Sequence, residues 1–83
     1  MIALNLEKKS DKEILQKIKK FLEDEGIEGR FTIIKDDEIK NGYIVSIKST
    51  NIRGIKQAAK KAIELEKKGK NLIKGKYFRF IIH

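Results

Sequence analysis

A chain of 83 residues with 20 lysines and arginines against 12 aspartates and glutamates, a formal charge of +8, has room for one domain and one core. Cysteine is absent, which excludes disulfides, thiolate metal sites and cysteine nucleophiles together. No apolar run approaches the roughly 18 residues of a membrane span, so the expectation is a cytoplasmic protein that does not contact membranes.

Ile2, Leu4 and Leu6 alternate with Ala3 and Asn5, the period of a half-buried strand. Ser10-Asp11-Lys12-Glu13 reads as a capping box, with Ser10 bonding forward to the Glu13 amide and Glu13 reaching back. Behind it Ile14, Leu15, Ile18, Phe21 and Leu22 recur at helical spacing. Gly26 suits the left-handed position that ends a helix. Phe31 and Ile33 alternate with Arg30, Thr32 and Ile34 as a second strand. The connector Asp36-Asp37-Glu38-Ile39-Lys40-Asn41-Gly42 carries the turn signal Asn41-Gly42. Tyr43, Val45 and Ile47 alternate with Ile44, Ser46 and Lys48 as a third strand.

Thr50 or Asn51 can cap a second helix with the apolar stripe Ile52, Ile55, Ala58, Ala59, Ala62, Ile63 and Leu65, stopped at Gly69. Leu72 and Ile73 suggest a short extra strand in the loop that follows. Phe78, Phe80 and Ile82 alternate with Tyr77, Arg79 and Ile81 in the closing strand. The order βαββαβ predicts one domain over residues 1–83, a ferredoxin-like α+β two-layer sandwich. Its four-stranded, mainly antiparallel sheet would carry both helices on one face and leave the other polar and open. The strand order 4-1-3-2 belongs to that expectation.

The charge is unevenly placed. Residues 1–52 balance, while residues 53–83 hold Glu64 and Glu66 against ten bases, an asymmetry that points to a polyanion-facing surface. At about 100° per residue, Arg53, Lys56, Lys60 and Lys67 share one flank of the second helix, opposite its apolar stripe. Lys61 and Lys68 take the other flank, with Glu64 between. Arg53 to Lys67 would span about 21 Å at 1.5 Å per residue, enough to meet several phosphates. Lys70, Lys74, Lys76 and Arg79 extend this surface into the loop and the last strand.

Other chemistries find little support. Stacking recognition of bases needs outward aromatics on central strands, and the outward residues there are Ala3, Asn5, Ile44, Ser46 and Lys48. Gly26-Ile27-Glu28-Gly29 spells a GXXG loop, but it joins a helix to a strand and contains a repelling glutamate, so it reads as a helix stop. Asp36, Asp37 and Glu38 read as a solvated turn rather than a cation site. His83 is the only histidine and is expected to fray. Ser10, Ser46, Ser49, Thr32 and Thr50 are expected to have no histidine partner. No enzyme and no cofactor is therefore expected. Proline is absent and Lys, Glu and Ile dominate, a bias shared by thermophile proteins and by AT-rich coding sequence.

Tyr43-Ile44-Val45-Ser46-Ile47-Lys48-Ser49, the lysine-rich helix with its Lys60-Lys61 pair, and Lys76-Tyr77-Phe78-Arg79-Phe80 together resemble the eukaryotic large-subunit ribosomal protein twenty-two-e family. The resemblance covers about half of the chain and is one of pattern. It implies a small α/β domain that binds ribosomal RNA chiefly through basic residues, with Arg53, Lys56, Lys60 and Lys61 facing the RNA. The expected function is thus a basic RNA-binding protein, ribosomal or ribosome-associated, whose partner is ribosomal or other structured RNA. The alternatives are DNA binding, or an interaction module or adaptor for an acidic protein partner, with homo-oligomers open in either case.

Overall fold

The computed structural model describes residues 9–83. It is an α+β fold in the order α1 (Lys9–Asp24), β1 (Gly29–Lys35), β2 (Gly42–Ser49), α2 (Ile55–Gly69) and β3 (Tyr77–Ile82). The expected first strand, residues 2–6, lies outside the described residues. Ser10 falls within α1 as described, and its side chain, on which the expected capping box depends, lies outside the described residues. The end of α1 follows expectation. Gly26 takes φ 73°, its amide donates to Glu23 O at 3.0 Å, and Ile27 N donates to Leu22 O at 3.0 Å. This is a Schellman motif, and Leu22 and Ile27, both buried, make its apolar closure.

The three strands are ordered β1-β2-β3, with β1 antiparallel and β3 parallel to β2. This corrects the ferredoxin-like arrangement. In the order 4-1-3-2 another strand separates the closing strand from its predecessor, whereas here β3 pairs directly with β2 from Gly42↔Tyr77 to Ile47↔Ile82. The sheet is therefore mixed, and α2 serves as the crossover that a parallel pair requires. Leu72 and Ile73 form no strand; they lie half-buried against the core in the loop 70–76.

Both helices cover one face of the sheet. Ile14, Ile18 and Leu22 of α1 and Leu65 of α2 meet Ile33, Tyr43, Val45, Ile47, Phe78, Phe80 and Ile82 in a single core. Strand alternation delivers these residues because side chains two apart share a face. Tyr43 stacks on Phe78 at 5.5 Å and Phe21 tilts against Phe80 at 5.7 Å. Gly69 ends α2 where expected but for a packing reason: a side chain there would press on the Phe80 ring, 3.2 Å away. At the start of α2, neither Thr50 nor Asn51 caps the helix. Its N-cap is Gly54 at φ 90°, without a side-chain bond.

Asn51 works elsewhere. Its Nδ2 donates to Gly26 O at 2.7 Å, and its Oδ1 accepts from Glu28 N and Ser49 Oγ, each at 3.0 Å. The turn after α1 is thereby fastened to the end of β2. Beside it Gly29, at φ 136°, brings β1 so close to β2 that a methyl group would strike the Lys48 carbonyl.

Candidate nucleic-acid interface

Helix α2 buries Leu65 and Gly69 and half-buries Ala58 and Ala62 against the sheet. Helical spacing then carries Lys56, Lys60 and Lys67 to its outward side, all three exposed. From Lys56 to Lys67 the stripe runs about 16 Å at 1.5 Å per residue. None of the three forms an ion pair among the described residues. Arg53 departs from expectation, since it precedes Gly54 and the start of α2 and so stands at the end of the stripe rather than on the helix. Lys70 and Lys74 are exposed in the loop behind the helix.

Lys61 and Lys68 are engaged. Lys68 Nζ lies 2.8 Å from Glu25 Oε1 and 3.0 Å from Glu64 Oε1, and Lys61 Nζ lies 3.8 Å from Glu25 and 3.7 Å from Glu64. Two lysines and two glutamates thus bridge α2 to the residue that follows α1, with no net charge. The hydrogen bond from Lys68, then the charges of Lys61 and Lys68, hold the Glu64 carboxyl below the ordinary glutamate range. The hydrogen bonds to Glu25 and then Glu64 hold Lys68 above the ordinary lysine range. Beside this cluster a cleft of about 720 Å³ opens between Glu25, Gly26, Gln57 and Lys60.

Arg79 and Lys76 are not brought into the same surface. Arg79 alternates with the core residues Phe78 and Phe80 and so projects from the opposite face of the sheet, where its Nη1 lies 3.4 Å from Asp36 Oδ2. Lys76 sits over the Tyr43 ring, 5.7 Å from its centroid. Asp36 corrects the expectation of a solvated acidic turn. It is 8% exposed, accepts the Glu38 amide proton at 2.9 Å, and lines a recess with Ile44 on the face expected to be open.

The rest of that face consists of cross-strand rows. Arg30 and Lys48 form one, continued by His83, whose backbone bonds to Ile47 and Ser49 set it beside Lys48, and Thr32, Ser46 and Ile81 form the next. His83 is not frayed: its amide donates to Ile47 O at 2.9 Å and its carbonyl accepts from Ser49 N at 3.2 Å. Its Nε2 lies 2.9 Å from Ser46 Oγ, so Ser46 does have a histidine partner. The neutral sum of residues 1–52 hides Arg30 and Lys48. Their matching strand parity was the available signal. Among the described residues, no three histidine, aspartate or glutamate side chains gather as a metal site, and no helix is long and apolar enough to cross a membrane.

No family model, curated protein or solved structure matches the chain.

Proposed function

We propose that this chain is a small RNA-binding protein, ribosomal or ribosome-associated, that grips phosphate backbone through α2 and the loop behind it and performs no catalysis. The observation that carries the reading is the stripe Lys56, Lys60 and Lys67, exposed along one side of α2 and free of the ion pairs that occupy Lys61 and Lys68. Cations left without carboxylate partners release condensed counterions when they meet phosphates, which is the main sequence-independent source of nucleic-acid affinity. Arg53, Lys70 and Lys74 lengthen the surface. The choice of RNA and of a ribosomal setting draws on the resemblance of the Tyr43 segment, the Lys60-Lys61 helix and the closing strand to the twenty-two-e family.

Salt-dependent binding tests it. With about five contacts to single-stranded RNA, log K falls against log salt with a slope near −3.5. Lys56→Glu/Lys60→Glu/Lys67→Glu lowers affinity at least about tenfold and flattens the slope by about 2. A flat wild-type slope, or a triple variant that binds like wild type, overturns the reading. Parallel titration with DNA of the same sequence decides between the two nucleic acids.

A second reading has its own observation. Ile52, Ile55, Ala58, Ala59 and Phe80 line an apolar groove of about 530 Å³ along α2 and β3, with Ile55 89% and Ile81 46% exposed. Such a groove fits a protein partner. A complex with a protein survives nuclease treatment, whereas one held by RNA dissolves.

A further inference from the structure

We infer that the open face of the sheet carries a second phosphate-binding site, centred on Arg30 and Lys48, so that the chain holds two nucleic-acid segments at once, one on each side. This rests on the proposed RNA-binding function and adds to it a surface outside α2.

The register sets Arg30 directly opposite Lys48 on the antiparallel strands β1 and β2. Directly opposed residues hold their Cβ atoms about 5 Å apart, and like charges so placed repel. Both side chains are exposed, and neither forms an ion pair among the described residues. Lys61, Lys68 and Arg79 all find carboxylates within 4 Å, so the absence of one here is a local property. Glu28 lies two residues before Arg30 but makes no ion pair with it, and its amide is held by Asn51. Asp36, at the far end of β1, is about 20 Å away at 3.3 Å per residue, and its charge faces Arg79.

Polar donors flank the pair. Ser46 and Thr32 face each other in the adjoining row, and His83 beside Lys48 bonds the Ser46 hydroxyl at 2.9 Å. A planar guanidinium fork, a mobile ammonium and hydroxyl donors are the groups that receive a phosphodiester oxygen pair. A bound phosphate would turn the Arg30–Lys48 repulsion into two attractions. Gly29 fixes the geometry, because only a residue without a side chain lets β1 approach the Lys48 carbonyl here.

The two surfaces face away from each other. Phe31, Ile33, Val45 and Ile47 turn toward the helices, so Arg30 and Lys48 turn away from them. The α2 stripe lies on the outer side of the helical layer. The chain is 22 Å across its shorter dimensions, too thick for one short run of phosphates to reach both surfaces. Two segments, brought together by one protein, satisfy the geometry.

The experiment titrates the full chain with a 4-nucleotide single-stranded RNA, too short to reach both surfaces, at low salt, following stoichiometry by native mass spectrometry. Energy transfer between donor- and acceptor-labelled copies of the RNA reports bridging. Wild type takes two equivalents and gives transfer. Arg30→Gln/Lys48→Gln takes one and loses the transfer, while its far-UV circular dichroism and its affinity for the first equivalent stay as in wild type. Lys56→Gln/Lys60→Gln/Lys67→Gln also loses the transfer. A wild type that binds one equivalent, or an Arg30/Lys48 variant that still binds two and bridges them, overturns the inference and leaves the α2 reading standing. A wild type that binds none overturns both.

Discussion

Lys68 donates from Nζ to Glu25 Oε1 at 2.8 Å, tying the last turn of α2 to the residue that follows α1. The same glutamate lies 3.8 Å from Lys61, so one carboxylate restrains two of the lysines that sequence alone would assign to a polyanion. Glu25→Gln should release them. On the proposed function, RNA affinity rises and the salt slope steepens by up to about 1.4, the value of two further single-strand contacts. Anisotropy titrations at four salt concentrations check this; an unchanged slope would show that both lysines remain held by Glu64.

The cluster also sets a pH dependence. Glu64 is held below its ordinary value of 4.5, first by the Lys68 hydrogen bond and then by the charges of Lys61 and Lys68. Its contribution to stability is present above 4.5 and disappears as pH falls through the lower folded value. Lys68 is held above 10.5, so its contribution is present below 10.5 and disappears as pH rises beyond it. Urea midpoints measured from pH 2 to 12 should show a plateau with two falling limbs. Glu64→Gln should make the acid limb shallower, and 1 M salt should shrink both limbs.

Asn51 provides a test of the fold. Asn51→Ala removes its bonds to Gly26, Glu28 and Ser49, at a cost of about 1–2 kcal/mol on a site that water partly reaches. Thermal denaturation should register a fall of about 4–8 °C for each kcal/mol in a domain of this size. Hydrogen exchange should quicken first at Glu28 and Thr50, whose backbone bond of 2.8 Å Asn51 supports.

Glu66 guards the edge of the sheet. Its Oε1 accepts the Phe80 amide proton at 3.4 Å, on the side of β3 that has no strand partner among the described residues. An exposed edge invites pairing with another chain unless a charged side chain blocks it. Glu66→Ala therefore promotes association through β3, seen as a concentration-dependent rise in sedimentation coefficient. A variant as monomeric as wild type at 1 mM would dismiss the guarding role.

The strands β1, β2 and β3 and the helix end at Gly26 follow from alternation, spacing and glycine, which are local properties of a few neighbouring residues, whereas Gly69 answers to the Phe80 ring that packs against it. The failures are long-range. The start of α2 departs from expectation because Asn51, a good cap by composition, commits its amide to Gly26, 25 positions away. Asp36 departs from the solvated turn expected of it because nothing nearby in sequence reveals that Arg79, 43 positions on, will meet it.

The charge shows the same division. Sequence by itself determined an α+β chain of net charge +8, with the excess gathered after residue 52. Only the tertiary structure decided which of those charges stand free. Pairing acts over about 4 Å in space, so Glu25 withdraws Lys61 and Lys68 from the helix surface, Asp36 withdraws Arg79, and strand register exposes Arg30 and Lys48 in a stretch whose sum is zero.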